Sequence, residues 1–96
     1  MKYYTYLLSD TTAFKIGRTR GLFNLKNRIK DLQCGNPRKI RLIGGFKNDI
    51  ELELHRKYSA FRLHGEWFEN SIILEVFKEK GFLYKEDFSE ILCADP

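Results

Sequence analysis

Residues 2–19 constrain the fold more than any other part of the chain. Two runs of strand-forming side chains, Lys2-Tyr3-Tyr4-Thr5-Tyr6-Leu7-Leu8 and Ala13-Phe14-Lys15-Ile16-Gly17-Arg18-Thr19, are separated only by the polar segment Ser9-Asp10-Thr11-Thr12. Aromatic and β-branched residues suit a pleated strand, and a polar connection this short is a turn. The two runs therefore predict a β-hairpin. The second run alternates apolar and polar positions, so Lys15 and Gly17 fall on one face of the sheet.

An amphipathic helix is predicted over about residues 23–33, where Leu22, Leu25, Ile29 and Leu32 recur at spacings of three and four and share one stripe. Asn24 can cap it, and Gly35 and Pro37 end it. Residues 38–46 read as a third strand. A second helix is expected over about residues 49–61, with Ile50, Leu54, Tyr58 and Phe61 on one face. His64-Gly65 turns the chain into Glu66-Trp67-Phe68. Asn70 or Ser71 then opens a third helix over about residues 71–80, closed by Gly81, with Ile72, Ile73, Val76 and Phe77 as its apolar positions. From Phe82 to Pro96 the pattern is ambiguous, although Phe88, Ile91 and Leu92 suit a short last helix. The β-β-α-β-α-α order predicts an α+β fold, a small three-stranded sheet flanked by helices.

The length of 96 residues suits one domain spanning 1–96, and a hydrophobic share of 43% with 15% aromatic residues is ample for a packed core. No apolar run approaches the roughly 20 residues that cross a bilayer. Met1-Lys2-Tyr3-Tyr4 lacks the layout of a signal peptide, so a cytoplasmic setting without membrane attachment is expected. Cys34, Cys93, His55 and His64 match no zinc-binding spacing. The net charge of +4 fits a phosphate-rich partner and equally fits a merely soluble surface.

Several residues carry chemical potential. Glu51 and His55 lie four apart on the second predicted helix, one turn above each other at the rim of the apolar stripe. They are either an ordinary exposed pair or a carboxylate and imidazole meeting at a site. Arg28 borders the stripe of the first helix, where its stem can pack while its fork meets a phosphate; a plain surface arginine is the alternative. Tyr4 and Tyr6 share one strand face, as core packing or as a phenol at a phosphate site. Gly17 permits close approach of a phosphate, or marks a bulge or helix contact. Trp67 is a core anchor or a platform for a base.

Taken in order, Tyr4-Thr5-Tyr6, Lys15-Ile16-Gly17-Arg18-Thr19, Arg28, Glu51-x-x-Leu54-His55 and Gly65-Glu66-Trp67-Phe68 resemble the GIY-YIG nuclease superfamily. More narrowly they resemble its T5orf172/MUG113-like branch of bacteria and phages. The resemblance spans about residues 3–68. It implies a β-β-α-β-α core and a divalent-metal-dependent endonuclease acting on nucleic acid, DNA above all. By position it implies Tyr6, Lys15, Arg28, Glu51 and His55 as catalytic residues, with Glu51 binding Mg2+ or Mn2+. Tyr6 would take a proton from water, Arg28 would stabilise the phosphorane-like state, and His55 would orient water or move a proton. Tyr4 stands where the namesake motif has glycine. Lys15 replaces a tyrosine, and its charge would lower the pKa of Tyr6 or bind phosphate. Gly17, Arg18, Arg20, Lys26 and Lys30 are candidates for nucleic-acid contact, with Arg38, Lys39 and Arg41. A dimer is one way to cut both strands. The alternative is a catalytically degenerate module that binds nucleic acid or protein, such as a phage regulatory protein.

Overall fold

The computed structural model describes residues 2–94. Its elements are β1 (Tyr4–Ser9), β2 (Ala13–Thr19), α1 (Leu22–Cys34), β3 (Arg41–Phe46), α2 (Glu51–Lys57), β4 (Arg62–His64), β5 (Trp67–Glu69), α3 (Ile73–Phe77), β6 (Phe82–Tyr84) and α4 (Lys85–Ala94). Short 3-10 turns at Ser59–Phe61 and Asn70–Ile72 follow α2 and precede α3. The strands form one antiparallel sheet in the order β4-β5-β2-β1-β3-β6.

The α+β class and the opening hairpin agree with the sequence reading, but the sheet has six strands rather than three. The three added strands are only three residues long each. Segments that short show too few alternations to register as strands, and pairing with longer neighbours fixes them. Glu66-Trp67-Phe68 thus leads into a strand, and Phe82 begins another. The second helix is shorter than expected because it gives way to a 3-10 turn, which leaves Phe61 exposed. The third helix shrinks likewise to Ile73–Phe77. Asn24 does not cap α1: Gly21 holds that place, and Asn24 lies within the first turn.

The central strand β1 is buried from Tyr4 to Leu8 because helices cover both of its faces. A strand enclosed on two sides needs no polar alternation. On one face Leu7, Phe14, Ile16, Phe46 and Phe68 pack with Leu54 and Tyr58 of the α2 segment and with Ile72 and Val76 around α3. On the other, Tyr4, Tyr6 and Leu8 pack with Leu25 of α1 and with Phe88 and Leu92 of α4. The tail residues suited to a short helix therefore complete the second core. Among the described residues no helix is long and apolar enough to cross a membrane, and Cys34 and Cys93 are exposed free thiols.

Candidate active site

The sheet leaves one interior strand half open. β5 pairs with Ala13–Lys15 of β2, and the next contact is a single hydrogen bond, in which the Ile16 amide donates to the Glu66 carbonyl at 3.1 Å. Beyond it, Gly17 to Thr19 run along a free edge. A cleft of about 1000 Å³ opens there, and its walls include Tyr6, Arg18, Arg28, Glu51 and Glu66. Tyr6 lies on the face of α1, whereas Glu51 comes from α2 on the opposite face. The cleft therefore straddles the sheet edge.

Tyr6 reaches the edge by crossing Gly17, its partner in the β1–β2 ladder. A Cβ at Gly17 would sit 2.4 Å from both Cζ and Oη of Tyr6. The missing side chain makes room for the phenol, which already fills the space expected for a phosphate. Burial pushes the phenol pKa up, the Glu66 charge adds to this, and the hydrogen bond and charge of Arg28 oppose it.

Lys15 is buried rather than open to a phosphate, and its ammonium ion-pairs with Glu66. The expected lowering of the Tyr6 pKa by Lys15 is therefore not found. The lysine charge is engaged by a carboxylate, and burial with that same carboxylate raises Tyr6. Glu66 is the site residue that sequence reasoning left without a role. The compact Gly65-Glu66-Trp67-Phe68 signature was its signal, since Gly65 takes the left-handed conformation at φ 55° that turns β4 into β5.

Glu51 opens α2, and a residue of β1 fixes where α2 begins. The fully buried Thr5 hydroxyl donates to the Asn48 carbonyl at 2.9 Å and accepts from the Ile50 amide at 2.8 Å. Burial and the Glu66 charge raise the Glu51 pKa, while His55 and Arg18 lower it. His55 stands one turn on, its Nε2 2.9 Å from the Ile16 carbonyl and its ring edge-on to Phe68. Because a carbonyl only accepts, Nε2 carries the proton. The imidazole thus ties α2 to β2 beside Glu51.

Arg18 bonds Asp49 at 3.3 Å and lies 4.5 Å over the Tyr3 ring. A smaller hollow continues from the cleft along Tyr3, Thr19, Arg20, Asn24 and Arg28. Lys26 and Lys30 are not brought to either place. They line a separate hollow with Lys39, because their positions on α1 point away from the edge. Arg38 pairs with Asp10 at 3.5 Å, and Trp67 packs at the border of the core.

Among the described residues no group of three or more His, Cys, Asp or Glu gathers closely enough to hold a metal. Those residues form no closed protein cage, but magnesium keeps several waters and takes one or two carboxylates. The half-buried Glu51, its carboxyl pushed up by burial and then by the Glu66 charge, lines an open cleft that such an ion can enter with its waters.

Fold and cleft together define an α+β domain with a charged site across a strand edge. The T5orf172 domain family model matches residues 3–81, and the chain belongs to that family, which is GIY-YIG-like and associated with nuclease-like proteins. Neither the curated proteins nor the solved structures gave a match.

Proposed function

We propose that this domain is a divalent-metal-dependent endonuclease that hydrolyses phosphodiester bonds in DNA, within the MUG113-like branch of the GIY-YIG superfamily. One observation carries the reading: Tyr6, Arg28 and Glu51, from three separate elements, line the same cleft. A pure binding surface has no use for a carboxylate where phosphate must sit.

Glu51 would hold Mg2+ or Mn2+, and the ion would supply charge stabilisation at the scissile phosphate and its leaving oxygen. Arg28, exposed at the cleft and hydrogen-bonded to Tyr6, meets the charge that develops on the phosphate. Tyr6 orients the attacking water and, once its own phenol proton has passed to solvent, takes that water's proton. Burial above all, with the charges of Glu66 and Glu51, favours the protonated phenol, and the hydrogen bond and charge of Arg28 oppose them. Arg18 and Arg20, beside the adjoining hollow, contact the neighbouring backbone phosphates. One cleft cuts one strand, so a double-strand break takes two events or two copies.

The test is nicking of supercoiled plasmid with and without Mg2+ or Mn2+, beside a folded Glu51→Ala variant. Metal-dependent nicking lost in the variant supports the reading. No cleavage with either metal, but a retained gel shift, would replace it with a DNA-binding module.

A further inference from the structure

We infer that the hollow adjoining the cleft seats an unpaired nucleotide, so that the substrate is DNA with unstacked bases beside the scissile phosphate rather than intact duplex. This inference rests on the nuclease reading above and names the substrate class of the same site.

The hollow measures about 240 Å³ and is continuous with the cleft, since Tyr6, Arg18 and Arg28 line both. Three arginines, Arg18, Arg20 and Arg28, stand in its wall, and among the described residues no carboxylate does. The acids of this region, Asp49, Glu51 and Glu66, line the cleft instead. The hollow therefore suits an anion, and its continuity with the cleft suits the next unit of the same strand.

Its wall also has features that a phosphate alone does not use. The Arg18 guanidinium carbon lies 4.5 Å from the centroid of the Tyr3 ring. The guanidinium is thus backed by an aromatic surface, yet the side chain is still 53% exposed. Asp49 accepts from its Nη1 at 3.3 Å. Backed on one side and tied at one end, the guanidinium is held as a flat platform, and such planes stack on bases. Stacking uses its face and leaves its edge to donate to a phosphate, so Arg18 serves both contacts. The adjoining turn is fixed too: the buried Thr19 hydroxyl donates to the Gly21 carbonyl at 2.9 Å and accepts from the Gly21 amide at 3.3 Å. A platform already ordered loses little freedom on binding. Asn24, exposed in the same wall, has both a donor and an acceptor, as the edge of a base does.

Two apolar side chains are exposed around the site. Leu52 lines the cleft and is 62% exposed, and Phe23, next to Asn24 in α1, is 77% exposed. Paired DNA keeps its base faces stacked inside and offers such groups nothing to cover, whereas unstacked bases do.

Fluorescence anisotropy in metal-free buffer tests this, with one labelled DNA oligonucleotide presented as a single strand and as a duplex. Wild type, Arg18→Lys and Tyr3→Leu are compared after circular dichroism confirms their folds, and cleavage of both forms with Mn2+ is measured alongside. The wild type should bind the strand about 10-fold or more tighter than the duplex at equal salt. Arg18→Lys keeps the charge and removes the plane. It should weaken strand binding by about 5-fold or more, the scale of one stacked base, with the salt slope and duplex binding unaltered. Loss of a phosphate contact would instead weaken strand and duplex alike. Tyr3→Leu removes the backing and should act as Arg18→Lys does; if it does not fold, the exposed Arg18 decides alone. Equal wild-type affinity for strand and duplex, or an Arg18→Lys effect on both forms or on neither, would overturn the inference, and metal-dependent cleavage of the duplex would then leave the nuclease reading standing. Preferential strand binding without cleavage of either form would overturn the nuclease reading and leave the hollow as a seat for a single strand.

Discussion

The phenol of Tyr6 lies across the backbone of Gly17, 2.4 Å from where a Cβ would stand. The two residues form one device, because the ring reaches the cleft only where the neighbouring strand has no side chain. Gly17→Ala should therefore displace the ring of Tyr6, a residue only 3% exposed. Overpacking of this kind costs about 1–3 kcal/mol, and a misplaced catalytic group costs about 100-fold in rate. Urea unfolding with plasmid nicking measures both. Near-wild-type nicking would show that Tyr6 is not needed where it lies.

Thr5 connects the central strand to the start of α2. Thr5→Val keeps the shape but leaves the Ile50 amide and Asn48 carbonyl without their partner. The expected loss is about 2 kcal/mol, with nicking reduced further because Glu51 follows Ile50 directly. Hydrogen exchange at the Ile50 amide should rise in the variant. Unchanged exchange would show that Thr5 does not hold this turn.

Asp10 governs the acid limit of the hairpin. Burial alone would raise its pKa, but hydrogen bonds from the Ala13 amide, the Thr12 hydroxyl and amide, and Asn36 bring it down to about 2. A carboxyl lowered on folding contributes stability above its unfolded pKa of 3.8 and loses it as pH falls through about 2. The shift corresponds to about 2 kcal/mol, undiscounted because the side chain is 6% exposed. Asp10→Ala should lose that much at neutral pH and flatten the unfolding curve between pH 4 and 2, the window just derived. An unchanged acid limb in the variant would remove Asp10 from this role.

Arg18 is expected to contact a backbone phosphate next to the cleft. Arg18→Ala should weaken DNA binding similarly for all sequences and reduce the slope of log affinity against log salt by about one. The partly exposed Arg18–Asp49 pair should add little to stability. Lys26→Ala, altering a hollow apart from the cleft, should leave the slope unchanged. Equal effects from the two variants would show that binding spreads over α1 as well.

Periodicity along the chain was enough to reveal the hairpin, α1, the third strand and the apolar face of α2, because each is long enough to repeat its pattern. It could not reveal β4, β5 and β6, whose three residues each are held by pairing partners far away in the chain. The order of motifs pointed to Tyr6, Arg28 and Glu51, and all three line one cleft. The same signature contained Glu66 without assigning it a task, since nothing local to Glu66 announces a buried lysine 51 positions away.

The sequence by itself determined the α+β class, the hairpin and the residue types available for phosphate chemistry, because strand propensity, helical spacing and motif order are local properties. Tertiary structure alone decided which charges meet. It set Lys15 behind Glu66, laid Tyr6 over Gly17, tied His55 to the Ile16 carbonyl and turned Lys26 and Lys30 away from the cleft. Electrostatic interaction depends on distance and burial in space, and neither is a function of separation along the chain.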